Sequence, residues 1–390
     1  MLAKKRKFQV RITDIPYDIL RLIASFSPKE FLSLSKYLSK IAKSTRTTLN
    51  VSRAHKLGIN PKLVVEAIFS SPNIITLNVG GWPKWDNSCL DYLSKKIKEG
   101  HFRSLKHLHM SNCNNITNKS LRVLLSCLGK RLKTLDVYNC KHIDFYALTT
   151  AISELETLLL GYSKAISSSN SSNFDVIRFL FEHSGDSYSR IVLPKLKVLQ
   201  ICNTLDIKLL SPLKGIATTL RVLDIRGCKG IPKQELDSIE HLTNLEELYI
   251  GMNIENETLS RIAKNCTKLS VLDISESQIT SQVVNDIVDN LPLLEKIKLS
   301  KCGNLNNHDL RKLLTSLSHL SVIDVSHCWR LTDSFSHQIS TVSPELKTIG
   351  VYMCSLDYNK LVYNLNLAGA SDIAAVTRNE VHIVGNQLHA

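Results

Sequence analysis

Ten cysteines and thirteen histidines are the side chains with the most capacity for chemistry in this 390-residue chain, as nucleophiles, redox pairs or metal ligands. Their spacing does not gather them. No Cys-x-x-Cys, His-Glu-x-x-His, Gly-x-Gly-x-x-Gly or P-loop arrangement occurs, which removes the simplest zinc, dithiol and nucleotide readings. His107 and His109 share one face of a strand by alternation, but a metal would need a third ligand there. Six cysteines (Cys113, Cys140, Cys228, Cys302, Cys328 and Cys354) instead return at one equivalent place of a repeating pattern. A buried, small, weakly polar thiol fits such a place better than a nucleophile does. All ten are therefore expected to be free thiols, and no catalytic residue, metal or cofactor is expected: the chain is read as a binding protein and not an enzyme.

The pattern is LxxLxLxxC. Its clearest copies begin at Leu105, Leu132, Leu220, Leu294, Leu320 and Leu346, with weaker ones at Ile74, Leu155, Leu196, Leu245 and Leu269. Alternation along a strand sends positions 4 and 6 of each copy to one side, the core. A second apolar pair at helical spacing follows, such as Leu121/Leu124, Leu259/Ile262 or Leu310/Leu313, and supplies the opposing wall. One strand, one turn and one short helix per copy cannot bury their own apolar edge. Neighbouring copies must stack, which predicts an α/β solenoid with a parallel inner sheet and outer helices. Position 9 should turn into the core, where Cys or Asn can meet backbone groups of the turn.

Positions 3, 5 and 7 point away from that core and form the surface a partner would meet. The candidate contact residues are His107, His109, Asp136, Tyr138, Asp224, Arg226, Glu247, Tyr249, Asp273, Lys296, Lys298, Asp324 and Tyr352. The tyrosines combine large contact area with little conformational freedom to lose. The recurrence of Asp at position 5 has two readings, recognition of a basic ligand or a requirement of the repeat itself.

The net charge of +14 is uneven. Residues 1–60 hold 13 Lys or Arg against Asp14, Asp18 and Glu30, a net +10, whereas the other 330 hold 36 against 32. The mixed charge of the repeats favours a protein partner over nucleic acid. Lys4-Lys5-Arg6-Lys7 reads equally as an import signal, a phosphate-binding tail or a solvated terminus. No apolar run of spanning length and no secretory signal is found, so a cytoplasmic or nuclear protein with no membrane contact is expected.

The sequence resembles the cysteine-containing leucine-rich repeats, whose pattern continues as LxxLxLxxCxxIT; Asn112-Cys-Asn-Asn-Ile-Thr117 and His327-Cys-Trp-Arg-Leu-Thr-Asp333 carry the likeness. The resemblance implies a horseshoe that binds other proteins. Upstream, Ile15-Pro16-Tyr17-Asp18-Ile19-Leu20 and Ser27-Pro28-Lys29-Glu30-Phe31 resemble an F-box, although the turn between its helices is one residue short and its final Trp is missing. That likeness implies docking of a Skp-type adaptor, and through it a cullin complex, by Ile15, Pro16, Ile19, Leu20, Ile23, Phe26, Pro28, Phe31 and Leu34. A plain helical cap on the solenoid is the other reading of this segment.

The domain plan is then a basic tail (1–11), an F-box-like module (12–48), a helical linker or cap (49–73), about eleven repeats (74–365) and a C-terminal cap and tail (366–390). An insertion near 163–194 contains Ser167-Ser-Ser-Asn-Ser-Ser172, and Trp82-Pro-Lys-Trp85 forms an aromatic turn that is either functional or a simple insertion. The expected function is substrate recognition in an SCF-type cullin-RING ubiquitin ligase, by one chain within a complex holding an unidentified target protein. The alternatives are a scaffold with no link to ubiquitin and a host-directed effector.

Overall fold

A computed structural model describes residues 47–52, 68–69, 71, 73–143, 147–148, 152–161, 176–181, 193–204, 207–338, 345–357, 360–361, 363–364, 373–377 and 380–384. The F-box-like motif, from Ile15 to Leu34, lies outside the described residues, as do the basic N-terminus and the Ser-rich run.

The strands are β1 (Thr48–Asn50), β2 (Thr76–Asn78), β3 (His107–His109), β4 (Thr134–Asp136), β5 (Thr157–Gly161), β6 (Val198–Cys202), β7 (Val222–Asp224), β8 (Glu247–Tyr249), β9 (Val271–Asp273), β10 (Lys296–Lys298), β11 (Val322–Asp324), β12 (Thr348–Gly350), β13 (Ile373–Thr377) and β14 (Glu380–Val384). They form one sheet in sequence order. Each strand up to β12 pairs in parallel with the next, in a constant register that sets Leu77 beside Leu108 and Leu248 beside Leu272. The helices lie between strands in sequence: α1 (Asn87–Lys98), α2 (Asn118–Leu128), α3 (Val176–Phe181), α4 (Lys233–Leu236), α5 (Asn256–Asn265), α6 (Ser281–Asn290) and α7 (Asn307–Ser316). Helices need about 8–10 Å between axes and strands only about 4.8 Å, so the stack must curve with its sheet on the inner side.

Positions 4 and 6 are buried in copy after copy, for example Leu108 and Met110, Leu223 and Ile225, or Ile323 and Val325. The helical pairs Leu121/Leu124, Leu259/Ile262 and Leu310/Leu313 complete the core. The Ile-Thr of the pattern also has a role: the N–H groups of Thr117, Thr280 and Thr332 donate to the side-chain oxygens of Asn87, Asn256 and Asn307, which open the helix of the preceding repeat.

The six position-9 thiols enter the core as expected, each donating to the position-6 carbonyl of the previous repeat. Cys140 reaches Met110 O at 3.1 Å, Cys228 reaches Ile201 O at 3.0 Å and Cys354 reaches Val325 O at 3.0 Å; Cys113, Cys302 and Cys328 repeat the bond to Val79, Ile274 and Leu299. Asn253, at the same position, is exposed, so the expectation that Asn would serve equally fails there.

Four features differ from the plan. The strand β1 precedes the first anticipated repeat and straddles the limit drawn at 48/49; it pairs with β2 so that Thr48-Leu49-Asn50 lies beside Thr76-Leu77-Asn78. Within the supposed insertion, α3 buries Ile177 and Leu180, because each repeat needs a helix to close its core. Trp82 and Trp85 are buried, and the Trp85 indole N–H points at Met110 Sδ, so this turn is core and not a surface device. Residues 373–384, within the stretch read as cap and tail, continue the sheet as β13 and an antiparallel β14.

After the strand the chain turns through a left-handed residue, at position 8 in most described repeats and at Gly251, position 7, in the one that begins at Leu245. In the N-terminal and central repeats this is Gly81, Asn112, Asn139, Asn203 or Gly227, types that enter this region readily. The last four repeats place Glu276 (φ 70°), Lys301 (φ 62°), His327 (φ 63°) and Met353 (φ 56°) there, at roughly 1 kcal/mol each relative to glycine.

Candidate protein-interaction face

The inner face is built from positions 3, 5 and 7, and its centre is a preorganised polar cluster. Arg226, at the end of β7, donates to both oxygens of Asp224, Nε to Oδ1 at 3.0 Å and Nη2 to Oδ2 at 2.7 Å. Its guanidinium lies 4.9 Å from the centre of the Tyr249 ring and 3.7 Å from Asp273 Oδ2. Tyr249 in turn donates its hydroxyl proton to Glu247 at 2.7 Å, and Gln200 donates to Asp224 at 2.9 Å. Parallel register places these residues side by side: Val222–Asp224 lies against Glu247–Tyr249, which lies against Val271–Asp273.

The electrostatics follow from burial. Desolvation alone would raise the Asp224 carboxyl, but hydrogen bonds from Arg226, Gln200 and the Cys202 thiol outweigh it and hold the group below its ordinary value. The Asp224 bond correspondingly tightens the proton on Arg226. Burial, and then the bond to Glu247, pushes the Tyr249 phenol up, so Tyr249 acts as a hydrogen-bonding aromatic and not as a base.

Toward the N-terminal end, His107 Nδ1 lies 2.9 Å from Thr134 Oγ1, and His109 Nδ1 lies 3.5 Å from Asp136 Oδ2. Burial, with the nearby charges of His109 and Lys106, lowers the His107 imidazole. Among the described residues no group of three His, Cys, Asp or Glu is arranged to hold a metal ion. The Tyr138 ring lies over bare backbone at Gly161, where an added Cβ would sit 2.7 Å from the ring. At the other end, Lys296 is exposed, Lys298 is half-buried between Asp273 and Asp324 in register, and Tyr352 packs edge-on against His327 at 5.2 Å.

The aspartates require a correction. Asp136, Asp224 and Asp273, expected on the open surface, are buried. Each accepts the backbone N–H two residues on, at 3.0, 3.2 and 3.2 Å, as does the half-buried Asp324 at 3.0 Å. Asn50 and Asn78 make the same bond to Ser52 and Gly80. A carboxylate or amide at position 5 closes the strand with a local Asx turn, so the recurrence of Asp belongs to the repeat and not to a basic ligand. His107, His109, Tyr138, Arg226, Glu247, Tyr249, Lys296, Lys298 and Tyr352 remain half-buried or exposed on the inner side.

Three features escaped the sequence reading. Leu159 and Val198, also at positions 5 and 3, are half-buried on the same face and extend an apolar shoulder there. The left-handed position 8 was legible only as a recurrence of Asn and Gly. Trp329, expected to belong to the pattern's turn, stands 61% exposed.

Among the described residues no helix is long and apolar enough to cross a membrane. No protein-family model matches the sequence, and no curated protein matches it. Solved structures do. A chain in the crystal structure of the Rad7 and Elc1 complex in yeast superposes with a TM-score of 0.60 at 15% identity, over 88% of each chain. The TLR13–ssRNA13 complex matches at a TM-score of 0.42 and 16% identity, over 75% of this chain and 41% of that one. With its single open parallel sheet, one strand and one outer helix or helical turn in most repeats, and this likeness of fold, the molecule is a leucine-rich-repeat solenoid.

Proposed function

We propose that this chain is a target-binding subunit of a cullin-RING ubiquitin ligase, holding a protein on its inner face and docking a Skp-type adaptor through its N-terminal segment. The binding part is carried by one observation: Arg226 and Tyr249 are already fixed by Asp224 and Glu247. A partner that meets them loses little further side-chain freedom, and Arg and Tyr are the residue types that dominate interface energetics. The mixed charge of the face, with Lys296 and Lys298 beside Glu247 and the aspartates, suits a polypeptide better than a phosphate backbone.

The ligase part is supported by the Ile15-Pro16-x-Asp18-Ile19-Leu20 likeness to an F-box. The fold likeness to a chain crystallised as part of a Rad7–Elc1 complex adds a structural neighbour that works in an assembly. In this reading the chain performs no chemistry; it raises the effective concentration of target lysines near a ubiquitin-charged enzyme carried by other subunits. It would act in the cytoplasm or nucleus.

Co-purification tests the proposal. The intact chain should recover a Skp-type adaptor, and the double substitution Ile15→Asp with Pro16→Ala should abolish recovery while leaving the melting curve of the solenoid unchanged. An intact chain that recovers no adaptor ends the ligase reading and leaves a scaffold.

A further inference from the structure

The strand-exit rim of the last four repeats departs from the rest of the molecule in two independent ways. Position 8 there carries Glu276, Lys301, His327 and Met353 in left-handed backbone, where the left-handed turn residue of the earlier described repeats is Gly or Asn. Strain kept at four successive sites without need by the fold is a pointer to what the side chains do. Three of the four are already engaged: Lys301 pairs with Glu276 at 2.7 Å, and His327 packs against Tyr352.

The second departure is exposure. Trp329 and Met353 stand 61% and 63% exposed; at position 10, where Trp329 sits, several other copies carry Asn114, Lys141, Lys229, Gln278, Gly303 or Ser355, and the apolar Ile254 is buried. The indole is not loose. It lies against the backbone of Gly303, where an added Cβ would come within 2.9 Å of its Nε1. The Arg330 guanidinium sits 5.0 Å from the ring centre, and among the described residues no carboxylate pairs with that guanidinium.

We infer that Trp329, Met353, His327 and Arg330 form a docking rim, continuous with the inner face at Tyr352, for a polypeptide segment that sets an aromatic or aliphatic side chain next to a carboxylate. The apolar member covers Trp329 and Met353, and the carboxylate meets Arg330. A phosphate backbone fits less well, because nearby lysines are already paired, Lys301 with Glu276 and Lys360 with Asp333 and Asp357. The inference rests on the protein-binding part of the proposed function and is independent of the adaptor.

The test uses the intact chain and a displayed library of random short peptides. Of the three tryptophans, Trp82 and Trp85 are buried, so acrylamide quenching of fluorescence reads Trp329. Selected peptides should pair Leu, Phe or Trp with a neighbouring Asp or Glu, shield Trp329 from acrylamide, and lose at least about tenfold in affinity on Trp329→Ser. His327→Asn and Met353→Asn should each raise the melting midpoint by ~1–2 °C, since they relieve the left-handed strain, and weaken the same peptides. A fall in midpoint would assign these residues a purely structural role and overturn the inference. So would a library that yields no Trp329-shielding peptide, or a single-stranded oligonucleotide that shields Trp329 better than any peptide. Peptides lost on Arg226→Ala with Tyr249→Ala but kept on Trp329→Ser would overturn the rim while sparing the proposed function; recovery of the adaptor tests the ligase reading separately.

Discussion

Asp224 and Arg226, two residues apart at the end of one strand, are joined by a two-pronged ion pair whose carboxylate is fully buried and whose guanidinium is about one-third exposed. The asymmetry decides which partner matters more to the fold. Removing Arg226 leaves the carboxylate with Gln200, the Arg226 backbone N–H and the Cys202 thiol. Removing Asp224 opens the strand end and leaves the guanidinium near Asp273 alone.

Asp224→Ala should therefore cost ~2–3 kcal/mol in urea unfolding, since a buried ionic hydrogen-bond network is broken, and Arg226→Ala ~1–2 kcal/mol, discounted for solvent screening. Because the folded-state carboxyl of Asp224 titrates below its ordinary 3.8, its contribution is present above that pH and is lost as pH falls through the folded value. Acid titration of unfolding free energy should show this loss in the parent and not in Asp224→Ala. Equal acid sensitivity of the two proteins would refute the assignment.

His107 carries the opposite chemistry. Its imidazole is lowered from 6.5, so the unfolded chain binds the proton first and stability declines as pH falls below about 6.5. His107→Gln should flatten that part of the stability–pH curve, and the proton NMR titration of the ring in the folded protein should lie below the free imidazole value.

The thiol row predicts inertness. Burial pushes Cys113 and Cys228 to about 11 and Cys140, Cys302 and Cys328 to about 12, so thiolate is scarce at neutral pH. Iodoacetamide at pH 8 should leave all five unmodified in the folded chain and alkylate them after unfolding; mass spectrometry reads the difference. Cys228→Ser should be milder than Cys228→Ala, which strands the Ile201 carbonyl at about 1–2 kcal/mol, because a hydroxyl can still donate to it.

The asparagine that opens α1, α5 and α7 joins repeats as well. Asn256 accepts from Thr280 N–H at 3.0 Å and donates to Gln278 O at 3.3 Å, so Asn256→Ala should lower unfolding free energy by about 1 kcal/mol. Hydrogen exchange should report the loss locally at Thr280, as expected of a stack in which each repeat touches only its neighbours.

Much of this architecture was legible from the chain. The leucines at positions 4 and 6, the helical pairs such as Leu259/Ile262 and the inward thiols are set by periods of two and three to four residues, and those periods operate within a single repeat. The strand β1 was missed although Thr48-Leu-Asn-Val51 repeats Thr76-Leu-Asn-Val79, because Arg46 replaces the aliphatic that opens every other copy. The helix at Val176–Phe181 was hidden by the polar sequence around it.

Sequence alone therefore determined the beat of the repeats, the direction in which each aliphatic points and the parallel stacking that follows, since an apolar edge has no other way to leave water. Only the tertiary structure decided which inner-face residues are free. Asp224 at position 5 and Lys296 at position 3 both point outward in the pattern, yet one is sealed by Arg226, Gln200 and Tyr249 from its own and adjacent strands while the other meets solvent. Burial of an outward side chain depends on neighbours brought alongside from repeats some 25 residues away, and that proximity is a product of folding.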